Sequence, residues 1–504
     1  MTTDPHKMPV IVGVGQINDR PDDPDDGLDS AGLMARALEI ADADAGGGWL
    51  ANLDALLVIE QISCPEIADL PAAVATALGV QPKTSRKTDG PMGDSPVRLL
   101  NEAANLIASG DAQTIAVTGG EALRTAARRA ALASGGAAHD HSAMKRSSEK
   151  RRRKYGQRYG LLTPSDLYPL YENATRAAFG QTLEQGQAES ALIWSNLSKV
   201  AAANEHAWIR QTRTPDEILT IDDNNRPIAF PYSKFMVANS SVNQGAGFIV
   251  TSLAKALASG IPEDRLIYIG KGAHADEPAN ALTRDSYARS VSMQVSLEQA
   301  LKLNQLSVAD LDAIELYSCF PCVPKMARRT LGLPPNAPMT VFGGLTFGGG
   351  PIANYMSHAI ACMVEQLRKE GRYGLLFANG GIATYNHTIV IGRDPALAEN
   401  HPHDFDFQSE ADRSRGPVPE LDEDYVGKGE LETYTILYNR DGSIRHGAIL
   451  ARAPHGARFL ARIPPGDAAA LARLETGDAS LIDAPGDCAR DAEGDLIWIF
   501  ANPA

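Results

Sequence analysis

The sequence has few cysteines, no long apolar stretch and no excess of positive charge, and each shortage excludes a class of protein. Its five cysteines are too scattered along 504 residues for a disulfide framework, which favours a reducing compartment. No run approaches the roughly 18 apolar residues of a membrane span, and Met1–Gln16 does not have the pattern of a signal peptide. The net charge of -15 argues against a nucleic-acid partner. We therefore expect a cytoplasmic protein.

Short apolar, β-branched runs alternate with amphipathic segments along most of the chain. The predicted strands are Val10–Gly15, Leu56–Glu60, Thr114–Gly120, Ile267–Lys271, Ile314–Tyr317 and Gly374–Gly381. The predicted helices between them include Ser30–Asp42, Val97–Ser109, Ser296–Leu303 and Ile352–Arg368. Strands that alternate with helices predict an α/β fold.

Two glycine-rich segments follow the same order of features. Gly90–Gly120 and Gly343–Gly381 each contain a glycine-rich turn, an apolar helix, a polar break and an apolar strand that ends in Gly-Gly. The helix over Ile352–Arg368 has an apolar face wide enough for burial between two layers. The repeated pattern predicts two similar α/β halves that pack together.

Three regions depart from this alternation and suggest domain boundaries. Residues 126–228 are predicted to be a loop domain inserted into the N-terminal half, which consists of residues 1–125 and 229–260. The C-terminal half then covers residues 261–398, followed by a polar, proline-flanked linker over residues 399–415. Residues 416–504 alternate as strands do, and Asn439–Gly442 is typical of a hairpin turn, which predicts a small β-rich domain.

The order of several short motifs resembles the thiolase superfamily, in particular its sterol-carrier-protein-type branch. The motifs are VIVGVGQ at Val10–Gln16, IASGDAQTIAVTGGEA at Ile107–Ala122, ANSSVNQGAGFIVTS at Ala238–Ser252, IELYSCF at Ile314–Phe320, GGLTFGGGP at Gly343–Pro351 and the terminal ANGG. The β-rich tail resembles the extra domain of the thiolase-like protein subgroup. The resemblance implies a five-layered α/β/α/β/α fold, a loop domain that contacts CoA, and an OB-like C-terminal domain.

In that family, four positions carry the cysteine and histidine side chains of acyl transfer, and here all four are substituted. Carried over motif by motif, they fall on Gly93, Tyr317, Gly350 and Ala378. The resemblance implies the acetyl-CoA acetyltransferase class, whereas the missing thiol argues against standard thiolysis because no acyl-enzyme can form on glycine. The backbone N–H groups of Gly93 and Gly380 need no side chain, and we expect them to hold a thioester oxygen.

Three side chains near these positions are candidates for other chemistry. Tyr317 ends a strand, and a phenol acts as a general acid or base where its pKa is lowered. Ser95 is a candidate nucleophile, with the alternative that it caps the helix ahead of Pro96. Cys319 forms a C-x-x-C motif with Cys322 at a helix start, which is either a redox pair or two buried small residues.

The residues and the resemblance together favour an acyl-CoA-binding protein of lipid metabolism, with CoA or an acyl-CoA as its ligand. The basic run in the loop domain makes Lys145, Arg146, Lys150 and Arg151 candidates for contacts with the phosphates of CoA. No metal or other cofactor is expected. Two alternatives stay open. One is a retro-aldolase that uses Tyr317 on a β-hydroxyacyl-CoA, and the other is a non-catalytic carrier or scaffold with a protein partner at its C-terminal domain.

Overall fold

The computed structural model describes residues 4–133 and 155–501, whose core is a ten-stranded mixed sheet. Its strands are β1 (Pro9–Asn18), β2 (Ala55–Val58), β3 (Thr84–Lys87), β4 (Thr114–Ala122), β7 (Asn243–Ser252), β8 (Ile267–Ile269), β9 (Ala273–Asp276), β10 (Ala313–Leu316), β11 (Tyr373–Gly380) and β12 (Tyr385–Gly392). The order is β10-β11-β12-β8-β1-β7-β4-β2-β3, with β9 paired to β12. β1 and β8 join the two halves edge to edge. The predicted α/β class is confirmed.

Helices pack on both faces of this sheet, and others pack against the strands of the C-terminal residues. They are α1 (Ser30–Asp44), α2 (Leu70–Leu78), α3 (Ser95–Ser109), α4 (Leu123–Ala133), α5 (Tyr155–Arg158), α6 (Pro164–Ala178), α7 (Leu183–Ala203), α8 (Pro215–Leu219), α9 (Leu253–Ala258), α10 (Val291–Leu303), α11 (Cys322–Thr330), α12 (Tyr355–Lys369), α13 (Gln408–Ser414) and α14 (Ala468–Glu475). None of these described helices is long and apolar enough to cross a membrane.

α3 and α12 form the middle layer of the fold. They contact each other and strands of both halves, whereas α1 packs on β1, β4 and β7, and α10 packs on β9 and β12. Successive side chains of β1 point to opposite faces of the sheet, since Val10 and Val12 pack with α1 whereas Ile11 packs with α3. The predicted five-layered arrangement is therefore present.

The second glycine-rich turn is longer than its sequence pattern predicts. Apolar periodicity starts the helix at Ile352, whereas α12 starts at Tyr355. Ala353 has a φ of 63° and Gly349 a φ of 106°, values that a right-handed helix does not allow. Ile352 packs against the core from within the turn, which explains why its apolar character looked helical.

The C-terminal residues form a small closed barrel that is continuous with the rest of the protein. Its strands are β13 (Gly427–Tyr438), β14 (Ile444–Arg452), β15 (Arg458–Ile463), β16 (Pro485–Arg490) and β17 (Leu496–Phe500), and pairing of β13 with β14 closes the barrel. The hairpin predicted at Asn439–Gly442 is present between β13 and β14. Two short strands from the region before β7, β5 (Pro227–Ala229) and β6 (Tyr232–Ser233), extend the same sheet through the pair Ala229 and Leu437.

The segment predicted as a linker packs against the C-terminal half. His401 Nε2 lies 3.1 Å from the carbonyl oxygen of Ile269, and His403 Nε2 lies 3.1 Å from that of Gly272. The backbone N–H of His274 donates to the carbonyl of Phe405 at 2.7 Å. The chain therefore enters the barrel from a position that is held against β8 and β9.

Candidate active site

The turn before α3 brings Gly93 and Tyr317, two of the four positions predicted to be substituted, into contact. A Cβ atom built on Gly93 would lie 2.2 Å from the carbonyl oxygen of Asn379 and 2.7 Å from the hydroxyl oxygen of Tyr317. Both distances are well below van der Waals contact. The space that a side chain at position 93 needs is therefore occupied by other parts of the protein.

Gly380 approaches the same turn from the end of β11. A Cβ atom built on Gly380 would lie 2.8 Å from the backbone nitrogen of Gly93 and 3.2 Å from Asp94 Oδ1. Glycine at position 380 is thus needed for the close approach of the two backbones. The two glycines assigned to the thioester oxygen are neighbours, and that role stays a prediction.

Tyr317 lies directly after β10, and its backbone N–H donates to the carbonyl of Phe377 at 3.1 Å. The side chain is buried, and this burial raises the pKa of the Tyr317 phenol well above 10. The lowered pKa that a general base requires is therefore missing. At neutral pH the hydroxyl keeps its proton and is therefore able to donate a hydrogen bond to a ligand.

The next tyrosine along the chain is held by a buried carboxyl group. The ring of Tyr355 lies 5.6 Å from that of Tyr317, and its hydroxyl donates to Glu315 Oε1 at 2.7 Å. The Thr340 hydroxyl and the Val341 N–H donate to the other oxygen at 2.9 and 2.8 Å. Burial raises the pKa of Glu315 to about 7. Tyr355, the first residue of α12, is therefore held in the core by its hydrogen bond to Glu315.

Ser95 is the first residue of α3, and the N-cap position belongs to Asp94. The predicted capping role of Ser95 is therefore wrong by one residue, because Asp94 already precedes the first helical turn and Pro96 is the second helical residue. Ser95 is buried beside Asp94. Among residues 4–133 and 155–501, no histidine or carboxylate forms a hydrogen bond to its hydroxyl, so no base activates it as a nucleophile.

The C-x-x-C motif opens α11 as predicted, but its thiols are not activated. Burial raises the pKa of Cys319 to about 12 and that of Cys322 well above 9. Both cysteines are free thiols, and Cys322 Sγ lies 3.6 Å from the carbonyl oxygen of Tyr168. A redox thiol needs a lowered pKa, so the interpretation as two buried small residues fits the structure.

Tyr168 of α6 reaches into the centre of the site, which the sequence did not indicate. Its hydroxyl donates to Asn379 Oδ1 at 2.9 Å and accepts the N–H of Ala383 at 2.9 Å. Its ring stacks on Phe320 with centroids 4.5 Å apart. The loop domain thereby holds the strand end at Asn379 that closes over Gly93. In the sequence, Tyr168 is one of several tyrosines of the predicted loop domain, and nothing in the neighbouring residues distinguishes it.

The other two substituted positions have separate surroundings. The N–H of Gly350 donates to the carbonyl of Asn239 at 2.8 Å. Ala378 is fully buried in β11 and pairs with His387 in β12. His387 Nε2 lies 3.0 Å from the side-chain nitrogen of Asn101, and burial lowers the pKa of His387 well below 6.5. A neutral histidine therefore stands next to Ala378 on the adjacent strand.

Asp94 is a further polar residue of this site that sequence reasoning missed. It occupies the N-cap position of α3 but makes no capping hydrogen bond. Its exposure is 2%, and its Oδ1 has no hydrogen-bond partner among the described residues. Burial raises the pKa of Asp94 to about 6. An aspartate before Ser-Pro at a helix start is typical of an ordinary cap, so no sequence signal distinguished it.

A cleft of about 270 Å³ opens at the N-terminus of α3. Its lining includes Asp94, Ser95, Tyr385 and the cationic residues Arg86, Lys87 and Arg98. The cations are paired with carboxylates, since Arg86 and Arg98 contact Glu102 and Lys87 contacts Glu60. The cleft therefore combines the buried carboxyl group of Asp94 with a rim of cationic side chains that are paired with glutamates.

The basic candidates for CoA contacts, Lys145, Arg146, Lys150 and Arg151, lie outside the described residues. The same is true of most of the basic run to which they belong. Within the part of the chain that the structure describes, no group of three or more histidine, cysteine, aspartate or glutamate side chains has the arrangement of a metal site. Because the four basic residues lie outside the described residues, their contacts with CoA stay a prediction.

Residues 406–492 match the family model of the thiolase-like protein type 1 additional C-terminal domain. A crystal structure of a monomeric SCP2-thiolase-like protein type 1 from Mycobacterium smegmatis matches with a TM-score of 0.82 and 29% identity, over 99% of this chain and 100% of that chain. A curated acetyl-CoA acetyltransferase from Methanocaldococcus jannaschii is 24% identical over 291 residues, which are 58% of this chain and 66% of that relative.

Two further structures share the fold at lower identity. The Ltp2-ChsH2(DUF35) aldolase has a TM-score of 0.58 and 17% identity, over 77% of this chain and 98% of that chain. Human mitochondrial 3-ketoacyl-CoA thiolase in complex with CoA has a TM-score of 0.56 and 15% identity, also over 77% and 98%. These two comparisons establish the architecture alone.

Proposed function

We propose that this chain, a thiolase-superfamily protein with the additional C-terminal domain of thiolase-like protein type 1, binds CoA thioesters without cysteine-dependent thiolysis. The contact between Gly93, Asn379 and Tyr317 carries the proposal, because it fills the space of a nucleophilic side chain. The buried thiol of Cys319 does not replace that nucleophile, since its pKa of about 12 keeps it protonated.

Thioester binding is supported by the fold and by the cleft beside the Gly93 turn. A curated relative is an acetyl-CoA acetyltransferase, and a structure with the same fold is a 3-ketoacyl-CoA thiolase in complex with CoA. We infer that Gly93 and Gly380 offer backbone N–H groups to the thioester oxygen. The basic run of the loop domain would then meet the phosphates of CoA.

Purified protein should bind acetyl-CoA but should not cleave acetoacetyl-CoA in the presence of CoA. Calorimetry measures the binding, and the loss of absorbance of acetoacetyl-CoA measures thiolysis. Turnover well above the buffer rate would contradict the absence of an acyl-enzyme. If calorimetry shows no binding of acetyl-CoA, of CoA or of a long-chain acyl-CoA, the proposal is contradicted. The carrier or scaffold, with a protein partner at the barrel, is then the remaining candidate.

A lyase is the second candidate, and the position of the Tyr317 hydroxyl against Gly93 favours it. In retro-aldol cleavage of a β-hydroxyacyl-CoA, a protonated phenol would donate a hydrogen bond to the oxygen that gains charge. Because the pKa of Tyr317 is raised, this donor role replaces the basic role expected from sequence.

We expect Tyr317→Phe to lower cleavage of 3-hydroxybutyryl-CoA at least about tenfold, the order of a lost hydrogen bond to a charged group. Formation of acetyl-CoA measures the reaction. Tyr425→Phe, which removes a hydroxyl from the remote barrel, is the matched control and should cleave at the wild-type rate. Equal rates for Tyr317→Phe and the wild type would exclude Tyr317 from the chemistry.

A further inference from the structure

The position of Asp94 has no structural explanation in the fold. An N-cap aspartate normally accepts a hydrogen bond from the second or third N–H of its helix, and Asp94 makes no such bond. The second helical residue is Pro96, which has no N–H to offer. Buried carboxyl oxygens are expensive unless they are paired, yet Oδ1 of Asp94 has no partner among residues 4–133 and 155–501. A group that destabilises the fold in this way is a candidate for function.

Asp94 also lies where a ligand would enter. Asp94 lines the cleft at the N-terminus of α3. Its Oδ1 faces Gly380, the last residue of β11, which approaches the turn that contains Gly93. The 15 residues of α3 present the positive end of the helix dipole to this cleft. Negative charge that develops on a ligand there is therefore stabilised.

The charges around Asp94 come from several elements. His274 and Asp276 act on it from β9, Arg98 from α3 itself, Tyr317 from the end of β10, and Tyr385 from β12. Arg86, Lys87, Asp89 and Glu102 stand on the rim of the cleft. His274 Nε2 lies 3.0 Å from Asp276 Oδ1, so the two groups that act on Asp94 from β9 also pair with each other.

Asp94 is suited to exchange a proton near neutral pH. Burial raises its pKa to about 6, close to the range in which an acid–base catalyst works best. His274 also titrates in this neighbourhood, because, against the lowering effect of burial, Asp276 raises its pKa from 6.5, but His274 does not line the cleft, whereas Asp94 does. The pKa values of Tyr317 and Cys319 are both raised by burial, which leaves these side chains protonated. Gly93 has no side chain, and Ser95 has no adjacent base.

We propose that Asp94 is the proton-transfer residue of this cleft, acting on the carbon next to the carbonyl of a bound acyl thioester. The carboxylate accepts the proton from that carbon. The C–H electron pair forms the C=C bond of the enolate, and the carbonyl π pair moves to the thioester oxygen. Return of the proton from Asp94 reverses the step, so no further reactant is required. The inference rests on the proposed thioester binding, because that ligand supplies the acidic C–H group.

Hydrogen exchange in D₂O tests this assignment without knowledge of the second substrate. Acetyl-CoA and decanoyl-CoA are incubated with the full-length protein, and mass spectrometry measures deuterium at the carbon next to the carbonyl. We expect exchange above the buffer rate, with a rise in rate between pD 5 and 7 as Asp94 ionises. Asp94→Asn should lower this rate at least 100-fold while calorimetry shows acetyl-CoA binding within about threefold of the wild type.

Asp111→Asn is the matched control, because Asp111 is an exposed aspartate beyond the opposite end of α3 and does not line the cleft. Its exchange rate should equal that of the wild type. Unchanged exchange in Asp94→Asn, or binding of both thioesters without any exchange in the wild type, would overturn the assignment and leave thioester binding intact. Loss of binding in the wild type would instead overturn the proposed function together with this inference.

A ligand-free measurement tests the buried carboxyl group separately. Because the pKa of Asp94 is higher in the fold than in the unfolded chain, its stabilising contribution is present below about pH 4 and is lost as the pH rises through about 6. The urea midpoint of Asp94→Asn relative to that of the wild type should therefore rise between about pH 4 and 6 and level off above about pH 7. A difference that does not change with pH would show that Asp94 is not a buried titrating group and would overturn the assignment.

Discussion

Replacement of Gly93 by cysteine should destabilise the protein and should not produce thiolysis. The backbone at Gly93 has no positive φ, so the effect comes from contact alone. The new Cβ atom would meet the Asn379 carbonyl at 2.2 Å, and a backbone carbonyl within a strand cannot move aside as a flexible side chain does. We expect a loss of about 3 kcal/mol, the upper end for overpacking in a close-packed core.

Urea denaturation measures this loss, and the acetoacetyl-CoA assay measures thiolysis. Gly90→Ala is the matched control in the same turn, because its Cβ atom would meet only the flexible end of Met92, at 3.3 Å. That variant should stay within about 1 kcal/mol of the wild type. A Gly93→Cys protein that is as stable as the wild type and cleaves acetoacetyl-CoA would show that position 93 is an ordinary vacant nucleophile site.

Removal of the Arg458 side chain should have an effect of similar size on stability, and it would act at the interface of the barrel with the remaining protein. Arg458 is fully buried, pairs with Glu432, and donates from Nη1 to the carbonyl of Leu282 at 2.6 Å. Its guanidinium also lies 5.0 Å from the ring centre of Tyr287. Arg458→Ala leaves the Glu432 carboxylate with only the partly exposed Arg452 and leaves the Leu282 carbonyl without its buried donor, which together cost about 3 kcal/mol.

Arg452→Ala is the matched control, because Arg452 pairs with the same carboxylate from a more exposed position. A partly exposed ion pair contributes about 1 kcal/mol or less, so the urea midpoint of this variant should change little. Limited proteolysis of Arg458→Ala should also release the barrel earlier than in the wild type. Equal midpoints for the two variants would indicate that the barrel does not depend on the buried contact with Leu282.

The barrel illustrates how far the sequence predicts the architecture. Strand alternation and the turn at Asn439–Gly442 are local signals, and both the hairpin and the β-rich domain were predicted from them. The sharing of its sheet with β5, through Ala229 and Leu437, was not predicted. These residues are far apart in sequence, and strand pairing of that kind has no local signature.

The active site shows the same limit for chemistry. Comparison of motifs predicted that Gly93, Tyr317, Gly350 and Ala378 are substituted positions, and only the structure brings Gly93 and Tyr317 into contact. The sequence offered Tyr317 as an acid or base, but burial raises its pKa and makes it a donor. The sequence offered Ser95 as the helix cap and contained no sign of Asp94, because burial without a hydrogen-bond partner has no local sequence signal.

By itself, the sequence determined the α/β class, the two similar halves, the added β-rich domain and the lack of a cysteine at position 93. Each of these follows from residue identity or from periodicity along the chain. Only the tertiary structure decided that the space at Gly93 is filled, that Asp94 is buried without a partner, and that the barrel is joined to the region before β7. Steric contact, desolvation and long-range strand pairing depend on distances between residues that are remote in sequence, and the order of amino acids does not state those distances.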